Sequence, residues 1–136
     1  MILDDAIREL RARNETVPLP MRLPTIAEVD EAERRLGLKF PADYRRYLLE
    51  ASDVVFGVLE PATITLPKSH TNLFRIAEDA WASEVPRNLL PICEDNSDYY
   101  CINSQNEVVF WSHNGWSSEK WPSLADWIEE VWLNEG

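Results

Sequence analysis

Leu90-Pro91-Ile92-Cys93-Glu94-Asp95-Asn96-Ser97-Asp98-Tyr99-Tyr100-Cys101-Ile102-Asn103 is the stretch whose reading decides the fold. Two apolar runs flank a short polar corner, the pattern of a β-hairpin. A third run, Val108-Val109-Phe110-Trp111, follows across the polar turn from Ser104 to Glu107. Strands are expected at about 89–93, 98–103 and 107–112, joined as a meander by turns of hairpin length. Glu94, Asp95 and Asp98 sit at the first corner. Asp, Asn and Ser favour turns on their own account. Three carboxylates also make this corner a candidate surface for a positively charged partner.

Helical signals lie on either side of the meander. Leu3, Ile7 and Leu10 share one face of a short helix over Asp4 to Arg13. The prolines at 18, 20 and 24 make the next segment an extended connector. Thr25 then reads as an N-cap with Glu28 as its capping-box partner, and Gly37 as the residue that ends the helix. Ile26, Val29, Ala32 and Leu36 are expected to face inward. Pro41 suits the first position of a following helix, where Tyr44, Tyr47, Leu48 and Ala51 form a stripe and Arg45 and Arg46 point to solvent.

Residues 52–69 are less regular. Val54-Val55-Phe56 reads as a strand candidate, and Ile64-Thr65-Leu66 as a strand or a loop. Thr71 or Asn72 caps a helix through Leu73, Phe74 and Ala77, which Pro86 ends. Ser123 caps the last helix, along which Leu124, Trp127, Ile128, Val131 and Trp132 line one face. Helices, a meander and a closing helix predict a single α+β domain, its antiparallel or mixed sheet covered by helices on one face.

Charge narrows the choice of partners. The 136 residues carry a formal charge of −11, unevenly spread. Residues 1–50 hold nine basic and ten acidic side chains, whereas residues 51–136 hold four and fourteen, a net −10. Phosphate binding needs Lys and Arg to displace counterions, so nucleic acid is excluded as a partner, as are anionic membrane surfaces. A basic protein is attracted. No basic, apolar leader and no long apolar span is present, and two cysteines are too few for a disulfide framework, so a cytoplasmic location is expected.

The chemistry-bearing residues are scattered. Cys93 and Cys101 lie in neighbouring expected strands and read as buried small hydrophobes, since two further zinc ligands at suitable spacing are missing. His70 and His113 are isolated. The corner carboxylates lack the glycine-bearing loop of a calcium-binding EF-hand and a third group to position a catalytic pair. The four glycines are too far apart to cradle a phosphate. No metal, no cofactor and no enzymatic activity are therefore expected. Five of the six tryptophans lie between Trp111 and Trp132, and Trp116 alone stands in an unpatterned loop, His113 to Ser118. It reads either as packing on the last helix or as an exposed anchor beside the carboxylates.

These residues resemble a family. Thr25-Ile26-Ala27-Glu28, then Leu36-Gly37-Leu38-Lys39-Phe40-Pro41-Ala42-Asp43-Tyr44 and Tyr47-Leu48, look like the N-terminal signature of the SUKH (Smi/Knr-type) superfamily. Leu90-Pro91-Ile92 with Asp95, Tyr99 to Asn103, Trp111-Ser112-His113 and Ser123 to Ile128 resemble its strands and closing helix. The resemblance covers about residues 23–133, and residues 1–22 are read as a helix and connector of the same fold. Ser52-Asp53 stands where many members carry Asn-Gly, and Asn96-Ser97 replaces glycines common in the acidic loop. The resemblance implies a non-enzymatic domain, in bacteria mostly an immunity protein that binds and neutralises a cognate polymorphic toxin, often a nuclease. An intracellular adaptor with an endogenous partner is the alternative, and a hydrolase using the acidic loop a third. Glu94, Asp95 and Asp98 are the expected electrostatic contacts, with Tyr99, His113 and Trp116 as anchors. A monomer or homodimer is expected.

Overall fold

A computed structural model describes residues 1–135, the side chains of Trp116 and Glu135 excepted. Helices α1 (Leu3–Ala12), α2 (Ile26–Leu36), α3 (Ala42–Ala51) and α4 (Leu73–Ala82) precede four strands: β1 (Leu90–Asp95), β2 (Asp98–Ile102), β3 (Val108–Ser112) and β4 (Gly115–Trp121). The chain closes with α5 (Leu124–Trp127), which widens into a π-helical turn, Ile128–Trp132, and then a 3₁₀ turn, Leu133–Glu135. The sheet is antiparallel throughout, in the order β1-β2-β3-β4. This is the expected α+β architecture.

Local chemistry sets the helix ends. The Glu28 amide donates to Thr25 Oγ1 at 3.2 Å while the Thr25 amide donates to Glu28 Oε1 at 2.9 Å, the two halves of a capping box. Arg22 clamps the same carboxylate through two bonds of 2.7 Å. The hydrogen bonds from Arg22, then the Thr25 amide, hold the Glu28 carboxyl down at about 2. Gly37 adopts φ 69°, the left-handed conformation that lets its amide and that of Leu38 turn back onto α2 carbonyls. Asn72, not Thr71, caps α4 by accepting the Arg75 amide.

Some expectations are corrected. Ile26 is 62% exposed, because the first helical residue lies beside the cap and α2 buries Val29, Ala32 and Leu36 instead. Pro41 is the N-cap of α3 rather than its first residue. Arg45 does not extend into solvent; it bridges Asp30 and Glu33 of α2. Arg46 pairs with Asp4 at 2.7 Å and so fastens α3 to α1. Val54-Val55-Phe56 forms no strand: the Val55 backbone is taken up by Asn14 and Glu15, which follow α1. Residues 64–66 also lie outside the sheet.

The core lies between helices and sheet. Leu10 of α1, Val29 of α2, Leu48 of α3 and Leu73 of α4 are fully covered, as are Ile92, Ile102 and Val108 of the strands. Tyr100 on β2 meets Phe110, Trp121 and Trp127 at ring centroid distances of 4.8, 5.7 and 5.3 Å, which seats the closing helix on that face of the sheet. Trp132 reaches Tyr47 of α3 at 6.0 Å and donates its indole N–H to the Phe56 carbonyl at 3.0 Å. No helix among the described residues is long and apolar enough to cross a membrane.

Cys93 and Cys101 are buried and free. Burial pushes both thiols up to about 12, so neither is a ready thiolate. Native protein at about pH 8 is expected to resist thiol reagents at both positions. Both should react fully once the chain is denatured. Titration with an aromatic disulfide reagent checks this, and rapid native labelling of either cysteine would contradict it.

Candidate functional site: an acidic corner of the sheet

The β1–β2 connection is a two-residue turn. Asp95 and Asp98 are paired, leaving Asn96 and Ser97 between the strands with φ of 52° and 71°. Two successive left-handed residues are what a type I′ hairpin requires, because its twist matches that of the strands. The turn therefore keeps the geometry usually supplied by glycine although none is present. Asn tolerates this region and Ser does so less well. Ser97→Gly is expected to stabilise the protein by about 1 kcal/mol, seen as a higher urea midpoint at unchanged slope. A lower midpoint would contradict the strain.

Side chains at the corner divide into those that hold it and those left to face solvent. Glu94 accepts the Ser97 amide at 2.8 Å and so braces the turn. Asp98 accepts both the His113 amide, at 3.1 Å, and its ring Nδ1, at 2.6 Å, tying the β1–β2 end of β2 to the β3–β4 turn. Partial burial opposes the charge on Asp98, but the His113 hydrogen bonds outweigh it and hold the carboxyl below its ordinary value. The resulting stabilisation is complete above the ordinary aspartate range and is lost as pH falls through the lowered value. Asp98→Asn is thus expected to flatten the loss of stability below about pH 4, checked by urea unfolding at several pH values.

The Asp95 carboxylate is less engaged than its neighbours: among the described residues its one side-chain hydrogen bond is from Asn96, at 3.4 Å. A further carboxylate joins from outside the meander. The segment before α4 runs along the outer edge of β1, with Pro61 bridged to Cys93 and the Ala62 amide donating to the Ile92 carbonyl at 2.8 Å. This brings Glu60 to the corner, where its carboxylate meets His70. Glu60, His70, Glu94 and Asp95 line a shallow depression of about 180 Å³ together with Val58, a 75% exposed aliphatic side chain. None of Glu60, Glu94, Asp95 and Asp98 has a Lys or Arg partner within 4.0 Å among the described residues; Glu60 pairs instead with His70 and Asp98 with His113.

Not every expected contact stands on this surface. Tyr99 is 6% exposed, its ring 6.0 Å from that of Trp111, so it serves the core rather than an open face. His113 is exposed at the edge of the corner. The segment expected as a loop around Trp116 is instead strand β4, with Trp116 opposite Trp111 and Lys120 opposite Val109; the Trp116 side chain lies outside the described residues. Glu60 and Val58 are the residues sequence reading missed. They lie more than thirty positions upstream of the turn, and only the bridge at Pro61 brings them there. Among the described residues no three His, Cys, Asp or Glu side chains are grouped so as to hold a metal ion.

Comparison with known proteins follows the same outline. The family model SUKH_5, described as SMI1-KNR4 cell-wall, matches residues 3–133 and thus takes in α1, which the sequence resemblance left outside. A crystal structure of a protein from Pseudomonas syringae pv. tomato is similar with a TM-score of 0.92 and 42% identity, covering 96% of this chain and 98% of that one. No curated protein matches. With nearly its whole length inside the family match and a near-identical fold in a relative, the chain belongs to the SUKH family of SMI1-KNR4 type.

Proposed function

We propose that this chain is a non-enzymatic immunity-type protein of the cytoplasm that binds a cognate toxin domain and covers its active surface. The observation that carries the reading is the acidic corner: Glu60, Glu94 and Asp95 converge on one depression and have no Lys or Arg partner among the described residues. Toxins that cleave nucleic acid need a basic surface, and an acidic binder placed over it excludes substrate. The exposed Val58 beside the carboxylates offers the apolar contact such an interface needs at its centre.

Co-expression with any toxin domain encoded beside its gene tests the proposal. Rescue of growth together with a complex that survives size-exclusion chromatography is the expected result. Growth arrest with every such domain, and no complex, would contradict it. A second reading is an adaptor for an endogenous basic partner. It draws on the family's description as SMI1-KNR4 cell-wall, and gains if the neighbouring genes encode no toxin.

A further inference from the structure

Away from the acidic corner, the chain carries a patch of opposite character. Among the described residues, eight of its thirteen Lys and Arg side chains have a carboxylate within 4.0 Å. Arg35 and Arg87 do not. Each lies on an aromatic ring instead: the Arg35 guanidinium is 3.9 Å from the Phe74 ring centre, and that of Arg87 is 4.4 Å from Trp81. Stacking of this kind fixes the plane of the guanidinium while leaving its N–H edge open. Trp81 is itself held, its indole N–H donating to the Leu89 carbonyl at 3.0 Å. Both arginines line one groove of about 410 Å³ between the end of α2 and α4, with Leu36, Trp81, Ala82 and Glu78.

We propose that this groove is a second protein-docking site, which takes a segment of a partner bearing spaced carboxylates, one on Arg35 and one on Arg87. Two preset guanidinium forks suit carboxylates, which they bind through paired hydrogen bonds. Arginine and tryptophan together are the composition of binding hot spots. Glu78 decides against a dense anion: its charge repels a phosphate or a nucleic-acid backbone, whereas a peptide keeps its carboxylates apart and lays apolar side chains on Leu36 and Trp81. The inference is independent of the acidic corner and survives if that surface proves idle.

The test is a titration of the isotope-labelled full chain with an acetylated, amidated peptide of alternating glutamate and leucine. Arginine Nε–H, Trp81 indole and α4 amide signals are followed. Saturable shifts at Arg35, Arg87 and Trp81 are expected, with affinity falling at least about tenfold in Arg35→Gln/Arg87→Gln and unchanged in Lys68→Gln, which removes a charge elsewhere. Backbone spectra of the variants show whether the fold is kept, and each single variant provides the comparison if the double one is perturbed. Equal binding by the double variant overturns the proposal. So does saturation of the same signals by inorganic phosphate, or their movement with protein concentration alone, which would make the occupant an anion or a second copy.

Discussion

Trp127→Ala and Trp132→Ala are each expected to cost about 3–5 kcal/mol, a large share of the stability of a domain this size. Both indoles are 1% exposed or less and lie 6.3 Å apart where the closing helix meets α3 and the sheet. Milder substitutions separate packing from hydrogen bonding. Trp132 donates to the Phe56 carbonyl, so Trp132→Phe both shrinks the ring and orphans an acceptor. The Trp127 indole nitrogen is buried with no partner among the described residues, so Trp127→Phe loses volume but also removes an unpaired donor. Trp132→Phe is therefore expected to exceed Trp127→Phe by about 1–2 kcal/mol in urea unfolding. Equal costs would mean that packing alone sets the value of this helix.

The second large effect concerns recognition. Charge reversal as Glu60→Lys/Asp95→Lys is expected to slow association with a basic toxin domain by about ten- to a hundredfold at low salt, the difference shrinking as salt rises. Glu60 and Asp95 are the informative pair because Glu94 braces the turn and Asp98 anchors His113. Reversal at either of those would disturb the fold as well as the surface. Stability of the Glu60/Asp95 variant is expected to stay within about 0.5 kcal/mol of the parent. Stopped-flow mixing at two salt concentrations measures the rate, and denaturant unfolding provides the control.

Capping chemistry was legible in the sequence because it is local. Thr25 with Glu28, Gly37 and Ser123 act within one helical turn, and each stands where its residue type requires. The three apolar strands were legible for the same reason. β4 was not. Its residues Ser117-Ser118-Glu119-Lys120 carry no apolar run, since an edge strand is paired on one side only and its polar side chains guard the other. At the site, the turn carboxylates could be found by proximity in sequence, but their division of labour could not. Whether Asp95 meets only its neighbour Asn96 among the described residues while Asp98 is tied to His113 depends on the pairing of two separate turns. Glu60 was out of reach altogether, because only the backbone bridge along β1 brings it to the corner.

Hydrogen exchange on a complex with the proposed toxin partner tests most directly whether the acidic corner is the recognition surface. Binding there slows exchange in residues 58–62, 94–98 and 113, while the amides of α1 and α2 exchange as in the free chain. Protection confined to those helices or to the outer edge of β4, with the corner unchanged, would contradict the assignment.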